Sequence, residues 1–183
     1  MNFKSVVTVI TVVVGFSLPV STYAQDEAEV MLRELATAPD AVEAQRLEER
    51  ILDEWGKSGS ASMDLLYKRG AQALEREDWQ AAAEHFRALS DHAPDFSEAW
   101  HGLALVSYNQ GRYGPAMEAL ERTLALQPNH FPALRGVGAI NEQTGRYELA
   151  YRAYQRVLEL RPHDADIIEA LERLSARIDG TLL

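Results

Sequence analysis

Apolar and polar positions along this chain keep a helical rhythm over most of its length. Trp100, Leu103, Ala104 and Ser107 fall at i, i+3, i+4 and i+7, the spacing of one helical face. Gly111-Arg112-Tyr113-Gly114 then ends that helix, because glycine tolerates the left-handed backbone of a C-terminal cap. Pro115 opens the next helix, where its missing N–H costs nothing, and Ala116, Leu120 and Leu124 form that helix's apolar stripe up to Pro128. The scheme returns downstream as Leu134, Val137 and Gly138, then Gly145-Arg146-Tyr147, then Ala150, Tyr154 and Leu158, ending at Pro162. A looser copy lies upstream: Leu66, Gly70 and Ala73, then Asp78-Trp79, then Ala82, Phe86 and Leu89, ending at Pro94.

The three copies share one period. Pro94, Pro128 and Pro162 stand 34 residues apart, as do Ala82, Ala116 and Ala150, and Trp79, Tyr113 and Tyr147. Phe86, Leu120 and Tyr154 form a fourth column at the same spacing. A period of this size marks a stacked helical array, in which each unit buries its apolar face only against its neighbours. Gly70, Ala104 and Gly138 fit where paired helices approach closely, and the large rings fill the corner between helices. These are packing residues.

The run Trp100-x-x-Leu103-Ala104, followed by Ala116-x-x-x-Leu120 and Pro128, resembles the tetratricopeptide repeat, from Met63 to Pro162. The resemblance implies an all-α, right-handed α-α superhelix with repeats at 63–96, 97–130 and 131–164. It also implies a concave groove lined by the first helix of each unit, serving to hold a protein or peptide partner. Matched columns place Tyr67, His101 and Arg135, then Leu105, then Tyr108 and Glu142, then Asn109 in that groove. Tyr and Arg often carry interface energy, since they bury area and keep a directional polar group. Some relatives clamp the carboxylates of a partner's C-terminus with Lys, Arg and Asn. Here those positions read Tyr67/Ala71, His101/Leu105 and Arg135/Ala139, and one cation does not make that clamp.

Residues 165–183 read as a capping helix and tail. Ile168 and Leu171 continue the apolar columns, but Glu172 replaces the small residue at Gly70, Ala104 and Gly138. A paired helix there would desolvate that charge, so the array stops, with Glu172, Arg173 and Arg177 facing water and residues 178–183 frayed. Residues 25–62 form a helical pair and linker without the repeat columns. Val30, Leu32 and Leu35 mark a short helix closed by Pro39. Asp40 with Glu43 reads as a capping box, and Ala44, Leu47, Ile51 and Trp55 as one face of a second helix. Gly56 to Ser62 reads as a flexible linker, with Ser62 capping the first repeat helix. The pair is expected to fold onto residues 63–91 as a cap. A rival reading makes Ile51 and Trp55 the edge of a dimerisation or docking arm.

Lys4, the apolar run at 6–18, Pro19 and the small residues Thr22 and Ala24 compose a secretory signal peptide over residues 1–24. As a helix the thirteen residues of this run reach only about 20 Å of a hydrocarbon core about 30 Å thick, so cleavage after Ala24 is expected and no stable membrane anchor. The bacterial look of the leader points to the periplasm.

Charge and chemistry narrow the function. A net charge of −10 with Arg and Glu interspersed offers no basic stripe to nucleic acid. Without cysteine there is no disulfide scaffold, thiolate metal site or thiol nucleophile. His85, His92, His101, His130 and His163 form no H-x-x-x-H pair, so no metal or other cofactor is expected, and His92, His130 and His163 read as solvated residues near unit boundaries. Asn141, in a small-residue column, should bond a neighbouring backbone group. No nucleophile elbow or phosphate loop occurs, which disfavours a hydrolase or lytic accessory enzyme. A non-catalytic periplasmic scaffold or adaptor is the reading that remains, with a self-assembling envelope protein as its rival.

Overall fold

The computed structural model describes residues 21–181, so the basic start and apolar core of the expected leader lie outside them. Among the described residues the chain is all helix: α1 Ser21–Ala36, α2 Ala41–Trp55, α3 Ala61–Glu75, α4 Trp79–His92, α5 Ser97–Asn109, α6 Tyr113–Leu126, α7 Phe131–Gln143, α8 Tyr147–Leu160 and α9 Ala165–Thr181. None of these is long and apolar enough to cross a membrane. Helices α3–α4, α5–α6 and α7–α8 are antiparallel pairs stacked in tandem, closed by α9 against α8. The result is the all-α repeat superhelix that the period predicts.

Small residues and rings interlock as the columns require. A Cβ at Gly70 would sit 2.7 Å from the Phe86 ring, and one at Gly138 would run into the Tyr154 ring. Gly102 has the same role from the other side, 2.5 Å from Phe86, so that ring is held between two consecutive first helices. Gly111 and Gly145 end their helices at φ +70° and +74°, and at the matching place in the first repeat Glu77 holds φ 56°. An L-residue there carries strain that glycine does not.

Helix α3 starts the array for a reason visible in its columns. Ala99, Val106, Ala133, Ile140, Ile167 and Leu174 are buried against the preceding unit's second helix. The matching positions in α3 are Leu65, half exposed, and the exposed Gln72, with exposed Lys68 between them. No unit can stack there without desolvating a lysine.

The expected docking of the N-terminal pair on residues 63–91 is therefore overturned. The α1–α2 hairpin lies across the edge of the array and shares a core with Phe131, Leu160 and Leu134 of the third repeat. Arg161 fastens it, donating to both oxygens of Glu48 at 2.6 Å, and His163 donates to the Ala38 carbonyl at 2.8 Å. The Trp55 indole stacks on the His130 ring at 4.7 Å and leans on Phe131. Ile51 and Trp55 are thus buried within the chain, and the free edge expected of a dimerisation arm is already occupied.

Several local readings change too. Val30 is exposed, and α1 buries Ala28 and Met31 beside the expected Leu32 and Leu35. Asp40 does cap α2, accepting from the Val42 and Glu43 amides, but Glu43 turns to Arg46 rather than completing the box. Ser60, not Ser62, precedes α3, with no side-chain cap, and the Gly56–Ser62 linker is tied down where Asp64 accepts from the Ser58 amide and hydroxyl. The C-terminal helix runs on to Thr181 instead of fraying at 178. Glu172, Arg173 and Arg177 are exposed as read, and the two arginines also reach back, Arg173 to Glu142 and Arg177 to the Tyr147 hydroxyl.

Candidate partner-binding groove

Helices α3, α5, α7 and α9 lie side by side and carry the columns assigned to the groove. On α5, Leu105 is 37% exposed, an unusual solvent share for a leucine on a packed helix. One turn on, the half-buried Tyr108 ring leans on Tyr113 at 5.6 Å. Burial, then the nearby Tyr113 and Glu142, push its phenol above the ordinary tyrosine range. Asn109 is exposed and bonds the Leu105 carbonyl of its own helix at 2.9 Å.

The charged members of the set are paired across neighbouring helices. Arg135 donates to Asp166 of α9 at 2.9 Å, and Arg173 donates to Glu142 at 3.0 Å. The Tyr154 hydroxyl also donates to Glu142, at 3.3 Å, and burial followed by that carboxylate raises its pKa to about 12. The single cation noted in the sequence, Arg135, is thus an exposed side chain already facing the Asp166 carboxylate.

Two members sit deeper than the columns suggested. Tyr67 packs edge-on against Phe96 at 5.9 Å and faces Phe86, so it belongs largely to the core of the first repeat. His101 is mostly buried, its Nδ1 3.4 Å from Glu98. Its neighbour His130 is fully buried rather than solvated, with Nε2 2.7 Å from the other Glu98 oxygen. His163 is exposed but bonded to Ala38, and His92 is exposed. Asn141 bonds the Val137 carbonyl of its own helix, as expected.

The ligating atoms of Glu98, His101 and His130 lie within 4.8 Å of one another, which raises the question of a metal. The hydrogen bonds answer against it. His130 Nδ1 accepts the Ala133 amide at 3.1 Å as the cap of α7, so the ring proton sits on Nε2 and points at Glu98. A metal on Nε2 would require that proton to move to Nδ1 and the buried amide to lose its partner. Burial holds the His130 imidazole below its ordinary pKa, keeping it neutral. Burial by itself would raise the Glu98 carboxyl, yet the two imidazoles hold it well below the usual range. The cluster clasps α5 to the start of α7, roofed by Trp55.

Family models described as tetratricopeptide repeat match residues 67–130 and 103–175, which together span the array. The chain belongs to the tetratricopeptide-repeat family. A TPR repeat-containing protein of Rhizobium etli is 28% identical over 114 residues, covering 62% of this chain and 56% of that protein. The chain thus aligns with little more than half of that relative's length. Among solved structures, the first TPR of Spaghetti (RPAP3) bound to the HSP90 peptide SRMEEVD superposes with a TM-score of 0.61 at 20% identity, over 64% of this chain and 93% of that one. MamA 41-end from Desulfovibrio magneticus RS-1 reaches 0.58 at 21% identity over 85% of each chain. These likenesses establish the TPR fold.

The groove residues missed by column matching have a common signature. Glu98–His130, Arg135–Asp166, Glu142–Arg173 and Tyr147–Arg177 are separated by 32, 31, 31 and 30 positions. One repeat less one helical turn brings two side chains together across neighbouring units. Searching the TPR sequence at that offset would have found them.

Proposed function

We propose that this protein is a non-catalytic adaptor, exported to the periplasm, that holds a segment of another protein against α5 and α7. The observation that carries the reading is an exposed leucine, Leu105, beside the Tyr108 ring, rimmed by the Arg135–Asp166 and Arg173–Glu142 pairs. An apolar anchor in a polar rim is the usual anatomy of a protein-binding hot spot. The RPAP3 domain's HSP90 peptide supports a peptide-sized occupant. A carboxylate-rich tail is not favoured here, since Arg135 is already held by Asp166 and Glu142 adds negative charge.

A photo-crosslinker at Tyr108, followed by mass spectrometry of cell extracts, should capture partners. The triple variant Leu105→Ala, Tyr108→Ala, Arg135→Ala should lose them. Unchanged recovery by the triple variant would remove the groove assignment. Export is checked separately, by fractionation and by sequencing the N-terminus, which should begin at Gln25. A chain found uncleaved in the cytoplasm overturns the periplasmic half of the reading.

A further inference from the structure

Among the described residues, nothing packs on the outer face of α3 or on that of α9, the two ends of the array. On α3 that face is a stripe of Leu65, Lys68, Arg69, Gln72 and Arg76, all exposed and at helical spacing. On α9 it is Ile168, Glu169, Glu172, Ala176 and Asp179, again exposed throughout. Each stripe carries one large apolar side chain, Leu65 at 48% and Ile168 at 40% exposure. Leu65 lacks the preceding second helix that covers Ala99 and Ala133, and Ile168 lacks a second helix following its own.

The two stripes are opposite in charge, with three cations on α3 and three carboxylates on α9. Among the described residues none of these six has an ion-pair partner. The arginines of α9 lie to one side and reach back, Arg173 to Glu142 and Arg177 to Tyr147. The carboxylates of α3 also lie off its stripe: Asp64 accepts from Ser58, and Glu75 falls in the groove column of Asn109. A net charge of −10 sets copies of this chain against each other, so an unpaired cationic stripe stands apart from the rest of the surface. Spacing matches as well as sign. Arg69 and Arg76 stand four and eleven positions after Leu65, and Glu172 and Asp179 four and eleven after Ile168. Successive first helices of the array run parallel. Continued in that sense, Leu65 lies on Ile168, Arg69 opposite Glu172 and Arg76 opposite Asp179.

We infer that the free face of α9 on one copy docks against the free face of α3 on the next, so that the chain associates with itself head to tail. Lys68, whose desolvation bars an apolar helix pair from α3, meets carboxylates in this contact, and Glu172 meets cations. The contact is heterologous: each copy keeps one face unused, and growth continues along the array. Exposed charge pairs are singly weak and screened by salt, so the association needs both stripes and is strongest at low salt. Neither stripe contains a residue of the proposed groove, and the N-terminal hairpin takes no part, so self-association and partner binding stand or fall separately.

Sedimentation velocity at low salt should show an average mass that rises with protein concentration and falls as salt is added. Lys68→Glu with Arg69→Glu and Arg76→Glu should weaken association about tenfold, and Glu169→Lys with Glu172→Lys and Asp179→Lys should do the same. Mixing these two variants restores matched faces and should recover the association, as should all six reversals in one chain. Circular dichroism confirms that each variant keeps its helices. The chain has no cysteine, so the contact can also be trapped. On oxidation, Leu65→Cys mixed with Ile168→Cys should give a crosslinked pair of chains. Leu65→Cys mixed with Leu149→Cys, on the exposed face of α8, should not. A mass that stays monomeric, association untouched by the reversals, no recovery on mixing, or equal crosslinking at position 149 would each overturn the inference. Loss with only one of the two triple variants would mark a symmetric contact between like faces and overturn it too.

Discussion

The third repeat and the N-terminal hairpin are both antiparallel helix pairs, yet they are held by different physics. In the repeat, the Tyr154 ring lies over Gly138, in space that no side chain could share. In the hairpin the packing is aliphatic, through Leu35, Leu47 and Ile51, and its seam with the array adds two polar ties, Arg161 on Glu48 and His163 on Ala38, to apolar contact with Phe131, Leu134 and Leu160. The first kind of contact is local and rigid. The polar ties of the second join residues more than a hundred positions apart through groups that water can also satisfy. Repeat array and hairpin should therefore open as separate units.

The largest effect is expected at the slot. Gly138→Leu forces a branched side chain into the Tyr154 ring, at a cost of about 3 kcal/mol, and a thermal melt should show the helices of the whole array lost at lower temperature. Arg161→Ala leaves the half-buried Glu48 without its two donors, at about 2 kcal/mol, and the loss should stay local. Hydrogen exchange should find α1 and α2 deprotected while α5 to α8 keep their protection. Equal loss of protection everywhere would mean that hairpin and array are one cooperative unit.

A smaller effect should follow pH at the clasp where the two regions meet. His130 is held below its usual 6.5 by burial, so the folded state favours the neutral ring. The unfolded chain takes up that proton first, and stability falls as pH drops below about 6.5. Glu98 is held below its usual 4.5, so its contribution is full above that value and is lost as pH falls through the folded one. The groups facing the pair are His101 and Tyr67, with no Lys or Arg bonded to it. Urea midpoints should therefore decline in two stages on acidification. His130→Asn, which can still accept the Ala133 amide, should flatten the upper stage alone, and a curve unchanged by that substitution would sink the assignment. The smallest effect has the opposite sign: Glu77→Gly relieves a left-handed backbone and should stabilise the first repeat by about 0.5 kcal/mol, seen as a raised melting temperature.

Much of this was legible one column at a time. The 34-residue period located α3 to α8, and the small residues and rings named the interlocks, because each unit meets the same neighbour in the same way. Asn141 could be placed from chemistry alone, since a buried amide must bond something close by. The polar Lys68 and Gln72 in α3 also said, for a reader who matched them to Gly102 and Val106, that no helix pair stacks before the first repeat. Of the groove set, exposed Leu105, Asn109 and Arg135 lie on the surface as the columns implied, while Tyr67 and His101 were drawn inward by Phe96, Glu98 and His130.

The order of residues by itself determined the helices, their tandem stacking and where the array ends, since those rest on contacts between elements adjacent in sequence and repeated three times. Only the tertiary structure decided where the hairpin lies and that His130 is buried. Those features depend on a single long-range encounter, in which a five-residue connection lets one helix pair reach across two repeats. A contact made once, between segments with no shared period, leaves no pattern along the chain to be read.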